Sequence, residues 1–126
     1  MLDNRLRKIS YELSTISRNG GLPVEELAEK HNAEDFFLYQ ELYDKLDDAY
    51  RLLRYLSKEI IGEYHLYLNE SGRYEAFKGT YYTSGSSIEF LYEGRWHLST
   101  VESNSEQYYI VHFKNLDLEG LKVRIR

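Results

Sequence analysis

The sequence contains no cysteine, which removes disulfides, thiolate metal ligands and cysteine nucleophiles in one step. Proline occurs once, at Pro23, so most breaks in the chain must be made by glycine and polar turn residues. Apolar runs extend only a few residues, far short of the ~20 that a membrane-spanning helix needs. The opening MLDNRLRKIS carries charge every few residues and has no apolar core of a secretory signal. A cytoplasmic protein without membrane association is expected. Positive charge is also in short supply. The net charge is −5, with nine basic and twelve acidic side chains in residues 1–62 and seven and nine in residues 63–126. Non-specific nucleic-acid binding draws on clustered positive charge, and the overall balance argues against it.

Tyrosine, by contrast, is abundant, at thirteen of 126 residues. It combines apolar area with a hydrogen-bonding tip at low entropic cost, which suits binding surfaces. Hydrophobic residues at 42% and charged residues at 29% are ordinary for a globular chain of one small domain with an extension.

The first half has a helical period. Leu2, Leu6, Ile9, Leu13 and Ile16 form one stripe, and Asn19-Gly20-Gly21 supplies a stop. Pro23 opens a short second helix with Val24, Leu27, Ala28 and His31 on one face. A third and longest helix is expected from Glu34 to about Ile60. Its core stripe is read as Leu38, Leu42, Leu46, Ala49, Leu53, Leu56 and Ile60. A flank of Tyr39, Tyr43 and Tyr50 runs beside that stripe, and Glu34, Glu41, Asp44 and Asp48 occupy a further face. The first and third helices have matching seams and are expected to pair antiparallel.

After Gly62 the period falls from 3.6 to 2. Segments 64–68 and 73–77 flank Asn69-Glu70-Ser71-Gly72, a hairpin connection. Segments 88–92 and 96–102 flank Glu93-Gly94, and 107–113 and 121–125 follow. Five or six short strands predict a small antiparallel barrel organised around Ser84–Glu102, which holds the only tryptophan, Trp96. The expected architecture is α+β: a helical region over 1–62, built as a hairpin of two long helices plus one short, then a barrel over 63–126.

Gly85-x-x-Ile88-Glu89, Gly94-x-Trp96, Val101-Glu102, Tyr108-Tyr109 and Gly120-x-x-Val123-Arg124-Ile125 together resemble SH3-like and Tudor-like barrels over residues 63–126. The same residues resemble an uncharacterised family carried by plasmids, phages and integrative elements of Gram-positive bacteria. Such elements also carry anti-CRISPR inhibitors among their small acidic proteins. The resemblance therefore implies a host protein as partner, most sharply a CRISPR effector nuclease or its RNA complex.

Three groups of residues are candidate sites, each with a structural alternative. Tyr39, Glu41, Tyr43, Asp44, Asp48 and Tyr50 combine anchors with steering charge for a protein partner; the alternative is a solvated helix face with i,i+4 pairs such as Asp47–Arg51. Trp96 with Tyr82, Tyr108 and Tyr109 has the composition of a ligand groove, or of barrel core. Lys114, Lys122, Arg124 and Arg126 form the one local basic cluster of the barrel. They suit phosphate contacts in a nucleic-acid-binding protein, or the wet face of an edge strand. No Gly-rich phosphate loop, Gly-x-Ser-x-Gly elbow or His-Glu-x-x-His pair occurs. A non-enzymatic protein with no metal or cofactor is expected. A self-associating structural protein, with the heptad-like seam of the first helix extended between chains, is a third reading.

Overall fold

The computed structural model describes residues 2–15 and 33–126. The expected glycine stop at 19–21 and the short helix from Pro23 to His31 lie outside the described residues. The chain divides into two compact units, Met1–Glu59 and Ile60–Arg126, where the change of period placed the boundary at Gly62.

In the first unit, α1 spans Asn4–Ser14 and is capped by Asp3, whose carboxylate accepts from the Arg5 backbone N–H at 2.8 Å. A single 3₁₀ turn, Ala33–Asp35, leads into α2, Phe36–Ser57. The two helices pack on one another. The only buried residues of α2 are Tyr50 and Leu53. Half-buried Phe36, Tyr39, Tyr43 and Leu46 continue the same line, stepping 3, 4, 3, 4, 3 down the helix. The inward seam is therefore the tyrosine one. Leu38, Leu42 and Leu56, expected in the core, are 66, 49 and 37% exposed, and Ala49 is exposed too. Both stripes have helical spacing, but the tyrosine rings supply the larger apolar bodies and can keep their hydroxyls at the rim.

The second unit is entirely antiparallel. Its eight strands are β1 Gly62–His65, β2 Tyr67–Leu68, β3 Tyr74–Phe77, β4 Thr80–Tyr82, β5 Ser87–Tyr92, β6 Arg95–Ser103, β7 Tyr108–Ile110 and β8 Lys122–Ile125. They form a five-stranded sheet, β1-β8-β5-β6-β7, and a three-stranded one, β2-β3-β4. The fold is thus α+β as expected, with two sheets around a shared core in place of one closed barrel. Leu66, 2% exposed, is the residue through which the chain leaves one sheet for the other. Its N–H donates to the Leu121 carbonyl at 2.9 Å and its carbonyl accepts from Gly120 at 2.8 Å, so the crossing leaves no buried backbone group unpaired there.

The core gathers Leu66, Ala76, Tyr82, Ile88, Phe90, Val101, Ile110, Leu118 and Val123 from both sheets and the loop before β8. The β5–β6 hairpin fixes the register of the larger sheet. Glu93 and Gly94 have φ of 50° and 76°, the left-handed pair that a two-residue type I′ connection demands. Tyr92 therefore pairs with Arg95, Leu91 with Trp96 and Phe90 with His97. With alternation along each strand, Phe90 and His97 face the core while Leu91 and Trp96 face the other side.

Candidate functional site

On α2 the sequence grouped tyrosines with carboxylates, and the helix separates them. Tyr39 and Tyr43 are half-buried and Tyr50 is 7% exposed on the inward seam, whereas Glu41, Asp44 and Asp48 are exposed. At 100° per residue, Glu34, Glu41, Asp44 and Asp48 share one stripe with Phe37. That phenylalanine is 78% exposed, packed edge-on against Phe36 with ring centroids 5.4 Å apart. Sequence reasoning passed over Phe37; its signal was a large apolar residue at the 3–4 spacing of the acids. Lys45 partly offsets Glu41 at 3.3 Å. Asp47 is paired with Arg51 at 2.9 Å, as the i,i+4 spacing suggests.

The aromatic residues of the barrel also divide between two faces. Tyr82 is core, at 6% exposure, and Tyr108 packs against that core. Tyr109 pairs with Glu102 on the opposite face, the same side as Trp96. The adjacent tyrosines thus point to opposite sides. No single groove joins Tyr82, Trp96, Tyr108 and Tyr109. Burial pushes the Tyr82 phenol up to about 12, because the phenolate is the form that an apolar core excludes. Its folded value then lies above the ordinary 10.0. The stability it contributes is whole below pH 10 and is lost as pH rises through about 12. Denaturation at pH 9 and pH 12 should therefore show Tyr82→Phe keeping roughly 2 kcal/mol that the parent loses at the higher pH.

Across the outer face of the five-stranded sheet runs a charge network. Glu89, only 6% exposed, lies opposite Arg124 in the register. Its carboxylate accepts from Arg126 Nε at 2.9 Å and from Arg124 Nη1 at 3.4 Å. Arg124 also donates to Glu63 at 3.2 Å, and Lys122 stands 3.6 Å from Glu63. The Arg124 guanidinium lies over the indole of Trp96, 3.9 Å from the ring centroid, a close cation–π contact. Lys114 sits apart, 5.5 Å above the Tyr109 ring. The alternating basic residues are thus not a wet edge. β8 is an interior strand between β1 and β5, and its charges are met by carboxylates of both neighbours. Sequence reasoning treated Glu89 only as part of a motif. An acid between Ile88 and Phe90, opposite a strand of alternating cations, was the available signal.

Among the described residues, His97 and His112 have different surroundings. His97 lies inside a ring cluster, stacked on Phe90 at 5.6 Å and edge-on to Phe113 at 5.5 Å and Tyr92 at 5.8 Å. His112 is exposed in the connection after β7, with φ of 68°. It lines an open hollow of about 370 Å³ with Tyr92, Phe113 and Lys114. Among the described residues no cluster of His, Asp and Glu has the arrangement of a metal site, and no helix is long and apolar enough to cross a membrane.

This arrangement of a helical unit and a two-sheet barrel can be set beside known families. Residues 64–125 match the model of a domain of unknown function, DUF5348. The match to DUF5348 coincides with the strands β1–β8 and leaves the helical unit outside it. No curated protein and no solved structure matches the chain.

Proposed function

We propose that this protein is a non-enzymatic protein-binding inhibitor or adaptor whose α2 acidic stripe engages a basic groove on a nucleic-acid-handling protein. The observation that carries this reading is Phe37, 78% exposed, set within Glu34, Glu41, Asp44 and Asp48. Glu41, Asp44 and Asp48 step by three and four residues, rising ~5 Å at a time along the helix, with Glu34 two turns before Glu41, and together present a row of negative charge to a surface built for phosphates. Such a row steers encounter, and an exposed aromatic supplies the desolvated anchor that interfaces concentrate their energy in. A CRISPR effector nuclease or its RNA complex is the sharpest target of this class, on the family resemblance given above. The ion pairs of Lys122, Arg124 and Arg126 with Glu63 and Glu89 weigh against β8 as a phosphate track, because cations already neutralised release few counterions.

Affinity capture from a Gram-positive bacterial lysate, with and without nuclease, tests the proposal. A protein partner that survives nuclease is expected, retained at least tenfold less by Glu41→Lys/Asp44→Lys/Asp48→Lys and by Phe37→Ala, with binding that weakens as salt rises. Equal capture by the charge-reversed chain removes the acidic stripe from the account. Recovery that vanishes with nuclease transfers the function to nucleic acid.

A further inference from the structure

Beside the acidic stripe, α2 carries a second apolar stripe that the inward seam does not use. Leu38, Leu42, Leu52 and Leu56 are 66, 49, 46 and 37% exposed, and Lys45 and Ala49 complete the line. The steps are 4, 3, 4, 3, 4, the alternation of a coiled-coil seam. An apolar row of this length on one helix face marks an interaction site where singly scattered leucines do not. We infer that this stripe docks a second copy of the chain, with the two α2 helices antiparallel about a two-fold axis near Asp47.

The pattern itself points to that occupant. Leu38 and Leu56 are equidistant from Asp47, as are Leu42 and Leu52, and Lys45 and Ala49. An isologous interface must be complementary to itself after a two-fold rotation, and the four leucines, placed symmetrically about Asp47 with Lys45 set against the small Ala49, meet that condition. Leu38 then faces Leu56 of the second copy, and Leu42 faces Leu52, over a seam of ~27 Å. A different partner protein places no such demand on the sequence.

Charge fixes the orientation. In the antiparallel pair the small Ala49 of the second copy leaves room for Lys45, and Asp48 of the second copy lies one residue away on the margin. Two symmetric Lys45–Asp48 pairs can form across the axis. They replace the exposed Lys45–Glu41 contact, whose side chains are 72 and 65% accessible and which contributes little by itself. A parallel pair would set Lys45 against Lys45 within the seam, the kind of buried like-charge contact that excludes an alternative. A single seam of this length buries less than the roughly 1,600 Å² of a standard interface, so association is expected in the micromolar range.

Sedimentation velocity on the purified full chain from 1 to 200 µM provides the test, with circular dichroism confirming that every variant is folded. The parent should pass from 15.0 kDa towards twice that mass. Leu42→Asp/Leu52→Asp should remain monomeric throughout. Asp48→Lys should weaken association at least tenfold, and Lys45→Glu/Asp48→Lys should restore it. Because the chain lacks cysteine, a nitroxide on Ser57→Cys reports orientation without background, with labels about 30 Å apart if antiparallel and about 10 Å apart if parallel. A parent that stays monomeric at 200 µM, a leucine variant that dimerises as well as the parent, a charge swap that fails to restore association, or the short label distance each overturns the inference.

Discussion

Phe90→Ala should leave the C-terminal unit at the edge of unfolding. Phe90 is 0% exposed at the centre of β5, with His97 stacked on one side and Phe113 edge-on at 5.0 Å. Truncating a fully buried phenylalanine costs about 3–5 kcal/mol, through lost transfer energy and the cavity left behind. A domain gains only about 0.05–0.15 kcal/mol of stability per residue, so for a unit the size of Ile60–Arg126 this loss is most of what is available. Trp96 is the only tryptophan and lies one strand away, so its fluorescence during urea denaturation reads this unit alone. A midpoint that drops by less than a quarter would mean that the ring cluster does not hold the unit together.

The neighbouring residue should fail for a different reason. Glu89→Leu keeps the strand and fills the space, yet it leaves Arg124 and Arg126, with side chains 17 and 10% exposed, facing an apolar group. Arg124 keeps Glu63 at 3.2 Å, but both cations lose the carboxylate they share, and removing one partner of a buried charge network costs up to about 3–5 kcal/mol. Glu89→Gln should recover part of that loss by keeping two hydrogen-bonding positions. Arg124→Met should cost less than Glu89→Leu, since it removes the cation itself and leaves Glu89 its contact with Arg126. The order leucine, then methionine, then glutamine in decreasing damage, read from urea midpoints, is the expected result. A Glu89→Leu chain as stable as the parent would show that the network is ornamental. The change should also move Trp96 emission in the native state, because Arg124 holds its place over the indole.

These two residues show where the sequence was legible. The switch of period after Gly62, the Glu93-Gly94 turn and the stripe that includes Phe90 are local signals, and each survives into the fold. The phase of α2 did not. Two stripes of equal spacing run down the helix, and hydropathy favours the one made of leucines over the one with three tyrosines. Periodicity gives the spacing of a seam; what faces it decides which seam is buried. The same limit hid the site geometry. Tyr82 and Trp96 both lie on strands, and only the register between strands places one in the core and the other under a guanidinium. Glu89 was similarly opaque, because its partners lie 35 and 37 residues away. By contrast, the opposite orientation of Tyr108 and Tyr109 follows from strand alternation alone.

The pairing of β1 with β8 has a consequence for where the chain of this unit can be cut and rejoined. Gly62 lies directly across from Ile125, about 5 Å away as in any antiparallel pair. The chain therefore enters and leaves the unit at one place. A host loop that opens by the width of a single residue pair can accept the whole of it without its own ends being pulled apart. For the same reason the two ends can be joined by a few residues and new ones opened at the exposed Glu70–Ser71 turn, giving a circularly permuted chain with every strand pair intact. Both ends of the unit thus meet at a single strand pair, Gly62 with Ile125.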